Sequence, residues 1–271
     1  MCLIVLGVAA RADLPLILAA NRDEFYRRPT TAADFWDACP AVLAGRDLQA
    51  GGTWMGVTRA GRWAAVTNVR NPQDIQPGRH SRGRLVRAYL CGAAAPGAFL
   101  NALAPHAARF PGFNLLLGAG REVWYFSNRG AGPPRRLAPG VYGLSNALLD
   151  TPWPKVRDAR ADLSALLQNP EPPSSAALFA LLADRRRPPD AELPDTGVGL
   201  AWERVLASRF IESADYGTRC ATLLRLDARG GLDFRERTFE EGTLAFERGF
   251  CLVQSGQARA FSGMVRAKSP S

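Results

Sequence analysis

Met1-Cys2-Leu3-Ile4-Val5-Leu6, followed by Pro15-Leu16-Ile17-Leu18-Ala19-Ala20-Asn21-Arg22-Asp23-Glu24, decides the fold of this 271-residue chain. Leu3 to Leu6 is an unbroken apolar run, the pattern of a strand buried on both faces. Arg11-Ala12-Asp13 reads as a polar turn, and Pro15 to Ala20 as a returning apolar strand that stops at four polar residues. An antiparallel hairpin of this length brings Asn21, Arg22 and Asp23 back beside Cys2. A thiol, a guanidinium and a carboxylate gathered at one end of an apolar hairpin point to chemistry.

The chemistry follows from the ionisation of Cys2. A thiol attacks as thiolate, and a free cysteine has a pKa of about 8.5 that a neighbouring Arg lowers. A small second residue permits trimming of Met1, which would free an α-amino group with a pKa of about 7.7–8.0. Cys2 would then carry nucleophile and general base in one residue. The competing reading is a small buried hydrophobe in an edge strand.

Downstream, Ala41 to Ala44 is a short strand, and Phe25 to Asp37 a polar connection. Thr53 to Val57 and Arg62 to Asn68 flank Thr58-Arg59-Ala60-Gly61, a hairpin signature. Ser81 is positioned to cap a helix whose apolar residues Leu85, Val86, Tyr89 and Leu90 recur at helical spacing. Pro96 opens a second helix towards Phe110. Phe113 to Leu117, Val123 to Ser127 and Gly140 to Ser145 read as strands. Thr151 and Pro152 start a helix to about Gln168, and Ser175 to Ala183 gives another. Trp202 to Phe210 is a short helix, and Cys220 to Leu226 with Leu232 to Arg237 a last hairpin. Strand hairpins separated by helix pairs predict two mainly antiparallel sheets with helices outside, an α+β fold. With neither repeat nor internal linker, residues 1–271 read as a single domain, and Ser262 to Ser271 as a frayed tail.

Composition removes several function classes. The hydrophobic share of 47% with 22% charged residues is that of a globular chain, and nothing approaches the roughly 20 apolar residues of a membrane span. The net charge of +9 invites a nucleic-acid reading, but the basic residues are scattered rather than striped. Only Lys155 and Lys268 among the 34 basic residues are lysine, a bias of GC-rich bacterial genomes. Five cysteines without paired spacing predict neither a disulfide framework nor a zinc site, which fits a reducing cytoplasm. No signal peptide, phosphate loop or dinucleotide fingerprint is present. Gly143-Leu144-Ser145-Asn146-Ala147 imitates a nucleophile elbow, but a triad would have to use His80 or His106.

Ala20-Asn21-Arg22-Asp23-Glu24-Phe25-Tyr26, Leu43-Ala44-Gly45-Arg46-Asp47, Gly51-Gly52-Thr53-Trp54-Met55-Gly56-Val57, Ser81-Arg82-Gly83, Gly112-Phe113-Asn114-Leu115, Gly143-Leu144-Ser145-Asn146, Pro152-Trp153-Pro154-Lys155 and Tyr216-Gly217-Thr218-Arg219 form an ordered set of blocks. With Met1-Cys2 they resemble the NRDE family, also called the transport and Golgi organisation protein 2 family, from the first residue to about Phe239. A Cys on the first strand is similar to the choloylglycine hydrolase and penicillin V acylase group. That resemblance implies the αββα sandwich of N-terminal nucleophile (Ntn) hydrolases.

The resemblance implies roles residue by residue. Cys2 is nucleophile and base, Asp23 holds the protonated amine, and Arg22 faces the thiolate or a substrate carboxylate. Asn68 and Asn146, each at a strand end, resemble oxyanion-hole asparagines, and Arg219 resembles the late Arg of these hydrolases. Two functions are therefore expected. One is a cysteine Ntn hydrolase of an amide or thioester, taking a small-molecule acyl substrate and requiring no cofactor or metal. The other is a non-enzymatic haem-trafficking protein, with Cys2, His80 or His106 as a weak axial ligand to haem as cargo.

Overall fold

The computed structural model describes residues 3–74, 80–252 and 258–261. Its opening strands, β1 (Leu3–Val8) and β2 (Leu16–Phe25), form the expected antiparallel hairpin, with Leu3 opposite Asn21 and Val8 opposite Leu16. There follow β3 (Thr30–Trp36), β4 (Cys39–Asp47), β5 (Met55–Thr58), β6 (Arg62–Asn68), α1 (Gly83–Cys91), α2 (Pro96–Leu103), β7 (Phe113–Ala119), β8 (Glu122–Ser127), β9 (Arg135–Arg136) and β10 (Gly140–Leu144). The chain continues through α3 (Pro154–Gln168), α4 (Ser175–Leu182), α5 (Leu200–Val205), β11 (Tyr216–Leu226), β12 (Leu232–Glu240), β13 (Thr243–Leu252) and β14 (Ala258–Phe261).

Among the described residues these strands make two antiparallel sheets. One runs β10-β1-β2-β11-β12-β13-β14, the other β3-β4-β5-β6-β7-β8-β9. The pleat of β1 and β2 sorts their apolar residues into two layers. Ile4, Leu6, Leu16, Leu18 and Ala20 meet Leu43, Met55, Val57, Trp63 and Leu116 between the sheets. Leu3, Val5, Ile17 and Ala19 face the opposite way, onto Val156, Leu163 and Leu167 of α3 and Leu178 and Leu182 of α4. On the far side Leu85, Val86, Tyr89 and Leu90 of α1 cover the second sheet. The result is the four-layer αββα sandwich that the family resemblance implies. Each fully buried Leu or Ile contributes about 1.5–3 kcal/mol relative to exposure.

Several boundaries differ from the sequence reading for physical reasons. β2 does not stop at Ala20. It runs through Asn21 to Phe25 because those residues pair with β11, Phe25 lying opposite Tyr216. Helix α3 begins at Pro154 rather than Thr151, since Trp153 precedes a proline and is extended (φ −61°, ψ 144°). The residue capping α1 is Arg82, without a side-chain bond, and Ser81 contributes only its carbonyl, to Arg84 N. Strand β3 replaces an expected loop: only Ala33 and Trp36 of it are buried, so its sequence carries little alternation. Strands β13 and β14 extend the first sheet beyond Phe239, and residues 262–271 lie outside the described set.

The cysteine expectation is corrected outright. Cys39, opening β4, and Cys91, closing α1, form a disulfide with Cα atoms 6.2 Å apart across 52 residues of sequence. Packing α1 on the second sheet brings them together, which no local spacing reveals. The cysteines therefore give no argument for a reducing compartment. No helix among the described residues is long and apolar enough to cross a membrane.

A polar inclusion sits between the sheets. Glu236 of β12 is 2% exposed, and its Oε1 accepts from Ala33 N of β3 at 2.6 Å, so one carboxylate ties the two sheets. Burial raises its pKa above the ordinary carboxylate value. A raised folded-state pKa means that stability is greatest when the group is protonated in both states, and falls as pH rises towards the folded pKa. Glu236→Gln keeps the acceptor for Ala33 and removes the ionisation. The stability difference should grow in favour of the variant, by at most about 1.4 kcal/mol per pH unit from pH ~4.5 upward. Urea unfolding of both proteins across pH 4–8 measures this; parallel pH profiles would refute it.

Candidate active site

A cavity of about 470 Å³ opens at the end of the sandwich where β2 leaves the core. It is lined by Arg22, Asp23 and Glu24 of β2, by Thr53 and Trp54 ahead of β5, by Asn68 ending β6, and by His80 to Gly83 at the head of α1. The alternation of β2 divides the labour of Asn21-Arg22-Asp23. Asn21, fully buried, donates from Nδ2 to the carbonyls of Leu182 (2.9 Å) and Arg209 (2.8 Å), pinning the end of α4 under the sheet. Arg22 turns the other way, 4% exposed, its guanidinium 4.2 Å from the ring centre of Trp54. Its Nη1 has no hydrogen-bond partner among the described residues. Asp23 accepts from Thr218 Oγ1 at 2.6 Å, and Thr218 exchanges backbone and side-chain bonds with Ile211.

Two close approaches hold the walls. Gly45 lies beneath Trp54, where a methyl group would overlap the indole ring. Gly52 and Gly83 meet backbone to backbone, with Thr53 N donating to Gly83 O at 3.3 Å, so the head of α1 is pressed onto the β4–β5 connection. Arg28 bonds Asp47 at 2.7 Å and reaches Glu24 at 3.5 Å. Burial opposes ionisation of Asp47, yet the Arg28 contact holds its pKa below the ordinary value. Arg82 donates from Nε to Gly112 O at 2.8 Å, and burial lowers its pKa to about 10.

Asn68 and Asn146, distant in sequence, are brought together. Asn146 Nδ2 donates to Asn68 Oδ1 at 2.8 Å, which leaves the Nδ2 of Asn68 as the donor of that half-buried amide. Asn68 lines the cavity; Asn146, 3% exposed, stands behind it. Arg219 occupies the bulge between Thr218 and Cys220, and its Nη1 donates to the carbonyls of Phe25, Tyr26 and Arg28 at 3.0–3.2 Å. Its guanidinium thus orders the turn after β2 rather than lining the cavity. Cys2 lies outside the described residues; the described chain begins at Leu3, opposite Asn21. His80 lines the cavity, whereas His106 sits on an exposed 3-10 turn (Ala104–Arg109). Among the described residues no three His, Cys, Asp or Glu side chains cluster as metal ligands.

Sequence reasoning missed the residues that support the site. Arg70 bonds Asn146 Oδ1 weakly at 3.4 Å and forms a buried ion pair with Glu203 of α5 at 2.5 Å. Glu203 also accepts from Thr196 N at 2.9 Å and from its hydroxyl. Asn114 donates to Thr67 Oγ1 and Ala147 O and accepts from Tyr125 OH, holding the segment after β10. Asn114 stood inside a quoted motif, but nothing local distinguishes a structural amide from a catalytic one.

Two layers of antiparallel sheet between layers of helix make an Ntn-hydrolase-like fold. The fold agrees with that of the Caenorhabditis elegans N-acylethanolamine-hydrolyzing acid amidase ortholog: TM-score 0.51 at 11% identity, covering 82% of this chain and 92% of that one. A sequence profile of the Transport and Golgi organisation 2 family matches residues 1–241, and the chain belongs to that family. It is 38% identical over 239 residues to the Bos taurus Transport and Golgi organization protein 2 homolog, covering 82% of this chain and 86% of that protein. Identity to the Homo sapiens homolog is 35% over 245 residues, covering 85% and 88%.

The Arg70–Glu203 pair gives a direct test of this support. Its side chains are 8% and 3% exposed, so Glu203→Ala leaves a buried guanidinium without its carboxylate. The expected cost is about 3–5 kcal/mol, read by chemical denaturation. A loss below about 1 kcal/mol, typical of surface pairs, would show that the pair does not hold the site.

Proposed function

We propose that the protein is a cysteine N-terminal nucleophile hydrolase acting on an amide or thioester. One observation carries this reading: the Asn146–Asn68 hydrogen bond fixes an amide donor on the wall of the same cavity that receives Arg22 and Asp23. Removal of Met1 gives Cys2 a free amine. That amine takes the thiol proton, the sulfur attacks the carbonyl carbon, and the carbonyl oxygen gains negative charge. Asn68 Nδ2 stabilises that oxygen. The attack forms the new C–S bond; as the tetrahedral centre collapses, the bond to the leaving amine or thiol breaks and that group departs with the proton, and water then cleaves the acyl thioester to release the acid and return the Cys2 thiol. Arg22 favours the thiolate electrostatically, and Asp23 holds the protonated amine.

Intact mass of the natively expressed protein should show loss of one methionine. Cys2→Ala should lower amide or thioester turnover at least about 10³-fold, and Cys2→Ser should retain a weaker hydroxyl nucleophile. Asn68→Ala should cost about 10²–10³ in kcat with little change in KM. A mature chain that keeps Met1, or turnover that survives Cys2→Ala, would remove the mechanism. A haem carrier is the second reading, favoured by His80 sharing the cavity with Arg22 and Arg82. It requires a saturable Soret shift that His80→Ala weakens.

A further inference from the structure

The one disulfide among the described residues joins the end of a helix to the start of a strand. Cys91 closes α1 and Cys39 opens β4, with Cα atoms 6.2 Å apart, inside the range that a disulfide spans. From that bond the helix and the strand stay in company to their other ends. Leu85, Val86, Tyr89 and Leu90 of α1 share a core with Val42 and Ala44 of β4. Asp47, the last residue of β4, donates from its backbone N to Gly52 O at 2.9 Å. Gly52 in turn meets Gly83 at the head of α1, backbone to backbone. The pair is therefore fastened twice, covalently at Cys39–Cys91 and by backbone contact at Gly52–Gly83.

Helix α1 needs such fastening. Its nine residues are too few to hold a helix by local bonding alone. No side chain caps its first turn, which has no acidic residue, and its last turn has no basic one, so neither end gains from the helix dipole. Arg62 of β6 supplies one tie, donating from Nη2 to Tyr89 O at 2.7 Å. The disulfide fixes the residue two positions further on. It also lies where a reductant can reach it. Cys91 is exposed, as are Gly92 to Ala95 after it, and Cys39 is half-buried between exposed Ala38 and Pro40. Accessible disulfides of this kind are the labile ones. Cys220, by contrast, is 4% exposed and burial raises its pKa well above the ordinary value, so it takes no part in exchange.

We propose that Cys39–Cys91 is a redox latch. Oxidation holds α1 against β4, together with the cavity wall that Ser81 to Gly83 form at the head of the helix. Reduction by a thiol of the glutathione class releases the tail of the helix. A reductant thiolate attacks Cys91 Sγ, the bond between the two protein sulfurs breaks, and Cys39 leaves as thiolate. A second reductant thiolate attacks the reductant sulfur of the mixed disulfide and frees the Cys91 thiolate. The two protein sulfurs thus gain two electrons and take up two protons, while two reductant thiols become one disulfide. Oxidised glutathione reverses the same steps. Neither the latch nor its test depends on the chemistry of the cavity.

Hydrogen exchange of the folded wild type, in oxidised and in reduced glutathione buffer, tests the latch, with differential alkylation reading the state of Cys39 and Cys91. Both cysteines should be blocked in the oxidised buffer and both free in the reduced one, without denaturant. Amides of α1 and that of Thr53 should then exchange at least about tenfold faster in the reduced protein, while those of β1 and β2 stay unchanged. Cys91→Ser should exchange at the reduced rate in both buffers, and Cys251→Ser should respond as the wild type does. The wild-type comparison uses no substitution, so a Cys91→Ser chain that fails to fold leaves the test intact. Cysteines that stay unpaired in the oxidised buffer would overturn the proposal, as would a bond that yields only after denaturation. Equal exchange of α1 in the two states would do the same, leaving the cross-link a passive staple.

Discussion

The structure depends most on one buried cation. Arg22 is carried into the space between the sheets by the pleat that places Leu16, Leu18 and Ala20 there. A buried charge is costly unless it is stacked, hydrogen-bonded or paired. Here Trp54 supplies the stacking face, an interaction of about 2 kcal/mol when desolvated. Trp54 can take this place against the guanidinium because Gly45 leaves room for its ring. The nearby residues bear the same imprint. Arg22 lowers the pKa of Arg219 in concert with burial, and it opposes the upward shift that burial gives Cys220 and Glu236. Burial prevails at Cys220, which lies on β11 opposite Arg22, and leaves it a protonated, inert thiol at neutral pH.

A second constraint is the bulge at Arg219. Without it, the residues of β11 that oppose Asp23 and Arg22 would alternate in strict step. The inserted residue lets Thr218 face Asp23 while Cys220 faces Arg22. Bulges of this kind re-aim side chains beside functional sites. Arg219 itself is spent on three carbonyls of the turn after β2, so the same insertion orders the chain that leads away from the cavity.

The hairpin was legible because buried apolar runs are local properties of the sequence, and the αββα layering followed from the family resemblance rather than from any local pattern. The positions of Leu85, Val86, Tyr89 and Leu90 in α1 were legible for the same reason, at period 3.6. Strand β3 was not, since its residues gain their shape from pairing with β4 and from the Glu236 contact rather than from their own pattern. The Cys39–Cys91 pair and the Arg70–Glu203 pair were invisible because each joins residues far apart in the chain. At the candidate site the residue types could be read but not their division of labour. Asn68 and Asn146 carried the same strand-end signal, yet one lines the cavity and the other orients it.

That division explains why a single motif holds residues of such different character. Successive positions on a strand face opposite ways, so Asn21 is turned away from the cavity that Arg22 lines. Asn21 anchors helix α4 and the segment at Arg209 on one face, and Arg22 reaches between the sheets on the other. Asp23 returns to the first face but at the strand's open end, where it lines the cavity. The helix layer and the inter-sheet layer are therefore registered to each other by neighbouring residues of one strand. A shift of β2 by one residue would put Arg22 against the helices and Asn21 between the sheets, leaving both without the partners they have here. The motif thus fixes the register of the central strand as well as furnishing the cavity.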